Sequence, residues 1–354
     1  MNGIALRPPK MPQRRQDVPR WNAGALVEVV VAGQVTNPLL RGSPYRIGRD
    51  GMLRVVPGTG GIVLNRRVGD PAVGLAGDHI EPGVTLRNND RESVGTKEAP
   101  NRGLLLNACV GNRAYVVTGP ATGAVGTVTG KHGGINHVIV DFPPAVLRRL
   151  RIGDRVQIHA VGQGMRLPDH PSVAALNLSP RLLQRWGIRA HGSHLHVPCT
   201  HVVPAALMGS GLGKAEGVLG DTDIQLSDPR VRSMYRLDRL RLGDFVAICP
   251  MDYRFGASFG GGALTIGVVV HSDSFVAGHG PGVTPLLMSR DGALRPVFRT
   301  DANLAAVLGL RPAIAPLPAP GDRERLEVWH AARPCALLPT GQRTRSGGWV
   351  SRTL

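Results

Sequence analysis

Short apolar runs separated by glycine and proline make up the hydrophobic pattern of this chain. The clearest run, Ala263 to Val270, is rich in β-branched residues, is bounded by glycines and is too short for an ordinary helix, so it predicts a buried strand. Residues 44–84 carry a glycine every few positions, which favours strand and turn over helix. The 47 glycines, the 29 prolines and an aromatic content of only 4% extend this interpretation to the whole chain. We therefore predict a mainly β fold with few short helices.

The stretch from 104 to 165 is predicted to form a small barrel. Two or three short strands joined by glycine turns occupy AYVVTGPATGAVGTVTGKHGGINHVIVDF, and RIGDRVQIHAVG supplies a closing strand after the short helix PPAVLRRL. Short strands with a GxVTGKxG turn are typical of SH3-like or KOW-like barrels. Further helices are predicted at 179–188, 231–240 and 301–310.

These patterns divide the chain into five parts, and the body is long enough for a substantial core. The parts are a disordered basic tail at 1–22, a β-rich N-terminal part at 23–103, the small barrel at 104–165, a β-rich C-terminal part with short helices at 166–316, and a Pro- and Arg-rich tail at 317–354.

The net charge of +17 raises the question of a polyanionic partner such as nucleic acid. The two tails supply +7 and the body keeps +10, but the body contains no long Lys/Arg block and no basic helix with interleaved aromatic residues. Because blocks of charge rather than totals mark nucleic-acid surfaces, this distribution favours a solvated, Arg-rich surface. Nucleic-acid binding stays open as an alternative.

The cysteines and the N-terminus bear on the compartment. The four cysteines are far apart and form no CxxC pair, so they resemble neither a zinc ribbon nor a disulfide framework. The first residues lack the apolar core of a signal peptide, and no segment reaches the ~20 apolar residues of a membrane span. We expect a soluble cytoplasmic protein that does not contact a membrane and that forms a homo-oligomer.

Three groups of polar residues follow apolar runs and lie in glycine-flanked turns, where chemistry is usually placed. They are Asp78, His79 and Glu81; Lys131 and His132, with His137 and Asp141 across the next turn; and His271, Asp273 and His279. None matches a recognised metal or catalytic motif by itself. A single histidine in a turn is more often a hydrogen-bonding residue than a ligand, but three such groups in one β-rich body favour a common site.

If these turns converge, imidazoles and carboxylates suit a divalent metal such as Zn or Mn. The candidate ligands are His79, Asp78, His271, Asp273 and His279. The candidate catalytic residues are Glu81 and His132 for proton transfer, Lys131 for a developing oxyanion or a substrate carboxylate, and Asp252. The candidate substrate-binding residues are Arg254, Ser210 and His137. An equally good interpretation of Lys131 is that it covers the surface of the barrel.

Two further stretches carry weaker signals. HGSHLHVPCTHVV brings together His191, His194, His196, Cys199 and His201, but strand alternation would divide these ligands between two faces. A Gly-Ser loop at 207–213 precedes Asp221 and Asp223, two carboxylates on one side of an extended segment. Such a loop suits an anion bound by backbone N–H groups, and a plain tight turn is at least as good an explanation.

Several long motifs resemble one known family. They are PYRIGRDGMLRVVPGTGG, AGDHIEPGV, GTVTGKHGGINHVIVDF, LMGSGLG with GDTDIQ, and GALTIGVVVHSDSFVAGHGPGVT. Together they are similar to the bacterial and archaeal family called domain of unknown function 4438, over about Gly33 to Pro316. The resemblance implies a β-rich protein containing a small barrel, and it implies no particular activity.

The residues favour an enzyme: a metal-dependent hydrolase or lyase acting on a small polar amide, lactam or related carbonyl compound. One alternative is a nucleic-acid- or ribosome-associated protein that uses the barrel and the basic tails, with binding that weakens steeply as salt rises. A second alternative is an oligomeric protein that binds a small ligand without catalysis.

Overall fold

The computed structural model describes residues 18–40, 42–88, 100–212, 217–314 and 317. Its strands are β1 Val29–Val35, β2 Arg46–Ile47, β3 Leu53–Arg54, β4 Ile62–Val63, β5 Gly83–Arg87, β6 Arg113–Val116, β7 Val125–His132, β8 His137–Asp141, β9 Arg155–Ala160, β10 Ala174–Ala175, β11 Arg189–His191, β12 His194–Cys199, β13 His201–Pro204, β14 Thr222–Asp223, β15 Phe245–Cys249, β16 Leu264–Val269, β17 Gly282–Ser289 and β18 Leu294–Phe298. Its helices are α1 Pro100–Asn107, α2 Pro144–Leu147, α3 Pro180–Arg185, α4 Pro229–Met234 and α5 Leu304–Leu308. The mainly β fold is confirmed.

A closed antiparallel barrel of six strands forms the N-terminal half. The order is β1-β9-β6-β7-β8-β5, and pairing of β5 with β1 closes the ring while β4 extends beside β5. Strand β9 alternates exposed and buried residues, which is the pattern of a strand with one face in a core and one in water. The predicted barrel segment 104–165 supplies β6 to β9, but β1 and β5 come from earlier in the chain, so the barrel is larger than that segment.

The C-terminal half contains a second sheet in the order β10-β17-β16-β15-β13, with β14 beside β17. The three central strands β15, β16 and β17 are buried along their whole length, which explains their nearly continuous apolar sequence. The predicted strand at 263–270 is β16. A smaller sheet, β11-β12-β18, and the hairpin β2-β3 complete the strands.

Helices α2 to α5 occur where the sequence predicts helices, but they are shorter, whereas α1 forms at 100–107, where no helix is predicted. Ser179, Asp228 and Asn303 accept backbone N–H groups at the N-termini of α3, α4 and α5, so side-chain capping fixes where these helices begin. The stretch 237–239 continues after α4 as a single 3₁₀ turn.

Both predicted tails fall mostly outside the described residues. Of the predicted disordered segment 1–22, residues 18–22 are described, and there Arg20 pairs with Asp169 while the Asn22 side chain donates to the Gly164 carbonyl. These residues therefore belong to the folded body rather than to a disordered tail. Of the predicted tail 317–354, only Leu317 is described.

The described cysteines differ in their bonding state. Cys109 and Cys199 are buried and free, whereas Cys249 is disulfide-bonded. Within the described ranges, no helix has the length and apolarity needed to cross a membrane.

Candidate metal centre

Three histidines from separate turns meet between the barrel and the second sheet. One ring nitrogen from each of His79, His132 and His271 lies within 4.8 Å of the others. The ring centroids are 4.2 Å apart for His132 and His271, and 4.9 Å apart for His79 and His271. All three residues are buried. Each of the three polar groups singled out in the sequence thus contributes one imidazole to a single cluster.

The chain delivers these imidazoles from the ends of strands. His132 is the last residue of β7, and it is the register partner of His137, the first residue of β8. The four-residue turn between them carries Gly134 and Asn136 at positive φ, a conformation that favours these residue types. His271 follows β16, whereas His79 precedes β5 and itself has a φ of 53°.

Each of the three imidazoles is oriented by a hydrogen bond at Nδ1. The acceptors are Asp78 Oδ1 for His79 at 3.1 Å, Glu81 Oε1 for His132 at 2.5 Å and the backbone carbonyl of Ser272 for His271 at 2.9 Å. Because a carboxylate or carbonyl oxygen only accepts, Nδ1 carries a proton in each ring and Nε2 is the nitrogen left to face a metal; at His271 that Nε2 faces the Asp221 carboxylate. This is the usual arrangement of histidines that bind a metal through Nε2.

Glu81 is the most buried of these supporting groups. Its carboxylate also accepts from His137 Nδ1, at 3.0 Å from Oε2, and its side chain is 0% exposed. Burial alone would raise its pKa, but the electrostatic interactions and hydrogen bonds with His137 and His132 outweigh burial and lower the pKa to about 2. Glu81 therefore stays ionised and holds two imidazoles in one tautomer.

Two aspartates complete the cluster: Asp223 in β14 and Asp221 directly before that strand. Asp221 Oδ2 lies 2.8 Å from His271 Nε2, and Asp221 Oδ1 accepts the backbone N–H of Gly133. Asp223 Oδ2 lies 3.0 Å from His279 Nδ1 and 3.6 Å from His79 Nε2. These carboxylates face the histidines because β14 pairs with the start of β17, which follows the turn that carries His279.

Charge in the cluster is balanced between imidazoles and carboxylates. Burial opposes a charge on His271, yet the bonds and charges of Asp221 and Asp223 raise its pKa well above 6.5. Burial likewise opposes a charge on Asp223, but bonds from His271, His279 and His79 lower its pKa well below 3.8. Burial and the charge of His271 lower the pKa of His132. The site therefore attracts positive charge at its carboxylates and keeps His132 neutral.

Gly282 makes this close approach possible. A Cβ on this residue would lie 1.9 Å from Asp221 Oδ2 and 2.2 Å from His271 Nε2, both far inside van der Waals contact. The first residue of β17 must therefore be glycine for the aspartate and the histidine to meet.

A cavity of about 230 Å³ adjoins the cluster. Asp221 and Gly133 belong to its wall, so the cavity and the cluster share residues. The other lining residues are Arg102, Leu105, Gly134, Asn136, Gly217, Leu219, Gly220 and Tyr253. Polar side chains, glycine backbone and two leucines thus surround a space suited to a small molecule with polar groups.

Two family models together match residues 45–308. They are described as domain of unknown function (DUF4438), N-terminal, at residues 45–184, and as its C-terminal counterpart, at residues 185–308. The chain belongs to the DUF4438 family. The resemblance found in the sequence motifs is thereby confirmed. A solved structure entitled "Crystal structure of TM1086" is 40% identical, with a TM-score of 0.76, and the match covers 82% of this chain and 98% of that one. Comparison with curated proteins gives no match.

The boundary between the two DUF4438 models divides the cluster. His79 and His132 belong to the N-terminal model, whereas Asp221, Asp223, His271 and His279 belong to the C-terminal one. The site therefore exists only where the two halves are packed together.

Two of the predicted ligands of this DUF4438 protein, Asp78 and Asp273, bond to neighbouring side chains instead of joining the donor cluster. Asp78 bonds His79, Arg46 and Ser274, and Asp273 pairs with Arg49 at 3.1 Å. Neither belongs to the groups of donors that come within metal-binding reach among the described residues. Their contacts orient the turns that carry the imidazoles.

Lys131 does not point towards the cluster. It precedes His132 on β7, where alternate side chains take opposite faces, and its Nζ donates to Asn177 Oδ1 at 2.7 Å and to the Val218 carbonyl at 2.8 Å. Burial lowers its pKa to about 8. With a side chain that is 0% exposed, Lys131 does not cover the barrel surface, so that interpretation is wrong. Its role towards a developing oxyanion or a substrate carboxylate stays a prediction.

Asp252 and Arg254 form a separate group. The Asp252 carboxylate accepts from Arg254 and from Arg290, which neutralises it away from the cluster. Ser210, in contrast, lies beside the site, since its backbone bonds Gly278 and Asp223. His137 is tied to Glu81 and is fully buried, which places it behind His132 rather than in the cavity.

The histidine-rich stretch at 191–201 behaves as strand alternation predicts. On β12, His194 and His196 are half-buried on one face, whereas Cys199 is buried on the other. Burial lowers the pKa of His201 to about 3 and raises that of the Cys199 thiol. These residues form no metal-binding group within the described chain.

Proposed function

We propose that this protein is a metal-dependent hydrolase or lyase that acts on a small polar carbonyl compound such as an amide or a lactam. The observation that supports the proposal is the convergence of His79, His132 and His271, each with its Nδ1 already bonded to an oxygen, so that Nε2 is the nitrogen that would hold a metal. Imidazoles and nearby carboxylates suit Zn or Mn, and a bound cation would replace the proton that Asp221 and Asp223 favour on His271.

A bound metal would lower the pKa of a water ligand towards neutrality and polarise a substrate carbonyl. The chain itself supplies orientation. Glu81 fixes the tautomer of His132, Asp78 does the same for His79, and burial keeps bulk water away from these groups. We therefore assign Glu81 a positioning role: it affects catalysis through the orientation of His132.

The adjoining cavity limits the substrate. Its volume of about 230 Å³ is below the ~300–1,000 Å³ of ordinary ligand pockets, so the substrate is expected to be small. Arg102, Asn136 and Tyr253 on its wall provide polar groups for substrate oxygen or nitrogen atoms, and Asp221 connects that wall to the cluster.

The test begins with the purified full chain. Metal content is measured directly, and melting is followed after chelation and after adding Zn or Mn, because binding to the native state raises the melting temperature. Hydrolysis of small amides and lactams is then assayed with and without chelator. His132→Ala should lose metal and activity, whereas His191→Ala, at an exposed histidine outside the cluster, should keep both.

The outcomes separate the alternatives. No bound metal together with unchanged melting in Zn and Mn would remove the metal-dependent mechanism. Metal and ligand binding without turnover would favour a non-catalytic binding protein instead. The cytoplasmic location, the homo-oligomeric state and nucleic-acid binding stay predictions from the sequence.

A further inference from the structure

The donor atoms of the cluster fall into three overlapping groups. One contains His79, His132 and His271; the second contains His79, Asp223 and His279; and the third contains Asp221, Asp223 and His271. Within each group the atoms lie within 4.8 Å of one another, which is compatible with one shared ion whose ligand bonds are ~2 Å long. Six residues thus offer donors, more than the four positions of a tetrahedral site.

The second and third groups have only Asp223 in common, and they meet it through different oxygens. Oδ2 of Asp223 faces His279 Nδ1 at 3.0 Å and His79 Nε2 at 3.6 Å. Oδ1 of Asp223 faces His271 Nε2 at 3.6 Å, and Asp221 lies 2.8 Å from that same nitrogen. The carboxylate therefore stands between two sets of donors.

The chemistry of the shared residue decides what this overlap means. One imidazole nitrogen has a single lone pair and serves one ion, whereas the two oxygens of a carboxylate can each serve a different ion. A shared histidine would force the groups to compete for one cation. A shared aspartate lets both groups be filled at once.

The geometry points to a two-metal centre in which Asp223 bridges two divalent cations, an inference that rests on the proposed metal-dependent function. The inner cation is held by Asp221 and His271, and the outer cation by His79 and His279. One ring nitrogen of His132 lies within 4.8 Å of a ring nitrogen of His79 and of His271, so His132 flanks the pair. Two-metal hydrolytic sites have ions ~3.5–4 Å apart, which suits one bridging carboxylate.

The two positions differ in their surroundings. The inner donor Asp221 belongs to the cavity wall, whereas the side chain of the outer donor His279 is 35% exposed and reaches solvent. The inner cation is thus placed towards a bound substrate. The outer cation is the more accessible of the two and should be the first to be removed by a chelator.

Metal stoichiometry tests the inference on the full chain. Chelator-treated protein is titrated with Zn²⁺ by calorimetry, and bound zinc is measured after desalting. Two ions per chain are expected for the wild type and one for His279→Ala, whose partly exposed side chain makes misfolding a small risk. In Mn²⁺-loaded protein, bridged ions should give a spin-coupled electron paramagnetic resonance signal that His279→Ala abolishes.

The control must account for zinc bound by histidines outside the cluster. His191 and His196 are suitable for it, because their rings are 5.7 Å apart. His191→Ala should still bind two ions. One ion in the wild type, a loss of the second ion in His191→Ala, or two ions retained by His279→Ala would each overturn the inference. The result is independent of turnover: two ions without hydrolysis would refute the enzyme and leave the two-metal centre, whereas one ion with hydrolysis would do the reverse.

Discussion

At the scale of single residues, Glu81 tests whether orientation of His132 matters. Glu81→Gln keeps the shape of the side chain but removes the charge that accepts from His132 and His137. Loss of such a supporting carboxylate typically weakens metal binding 10- to 100-fold, so a loss of that size is expected in zinc titrations. Glu28→Gln is the matched control, because Glu28 is exposed and pairs with the surface residue His159. Equal affinities in the two variants would contradict the role given to Glu81.

His201 gives a residue-scale prediction about pH. Burial, reinforced by the charge of Arg236, lowers its pKa in the folded protein to about 3, whereas the unfolded chain has the ordinary value of 6.5. Between these values the unfolded state binds the proton and the folded state does not. The stability is therefore fully present above pH 6.5 and is lost as the pH falls below it, by up to ~1.4 kcal/mol per pH unit.

Denaturant unfolding at several pH values from 4 to 7 measures this dependence. Replacing the imidazole in His201→Gln should make the free energy of unfolding less steep against pH, by up to that amount per unit, even if the variant is less stable throughout. Parallel curves for the variant and the wild type would show that His201 is not the residue responsible.

At the scale of elements, the start of β17 must approach the cluster without a side chain. Gly282→Ala adds a methyl group 1.9 Å from Asp221 Oδ2, which forces the aspartate and His271 apart. We expect this variant to fold with reduced stability and to lose most of its metal affinity, as judged by melting and zinc titration. Gly260→Ala is the control, since a Cβ there meets nothing within 4 Å. Wild-type affinity in Gly282→Ala would disprove the close packing on which the site depends.

Elements also show what sequence could and could not predict. The run at 263–270 predicts β16 because its signal is local, and His271 follows it directly. The sequence places Asp221 and Asp223 on one side of an extended segment, but their position in the cluster depends on the pairing of Thr222 with Val283, some 60 residues away. Such a register has no local signal. The closure of the barrel by pairing of β1 with β5 lacks a local signal for the same reason.

At the scale of the whole molecule, contacts between the barrel half and the C-terminal half join the two across the site. Lys131, on a barrel strand, donates to Asn177 and Val218, and its backbone exchanges two hydrogen bonds with the Thr284 hydroxyl. The cluster adds His79 and His132 from one half to four donors from the other. We therefore expect thermal unfolding of the two halves in one transition, since breaking either half exposes the buried ammonium and the unpaired carboxylates of the other.

Metal binding should raise the temperature of this single unfolding transition for the whole chain. At a free concentration 100 times the dissociation constant, a cation that binds only the native state adds ~2.7 kcal/mol, and with ligands from both halves this stabilisation applies to the entire chain. Calorimetric scans with and without Zn²⁺ measure the effect. His132→Ala serves as the control, because it removes an imidazole of the barrel half and should reduce the shift of the whole transition. Two transitions, of which zinc moves only the one from the C-terminal half, would mean that Asp221, Asp223, His271 and His279 bind metal without the barrel.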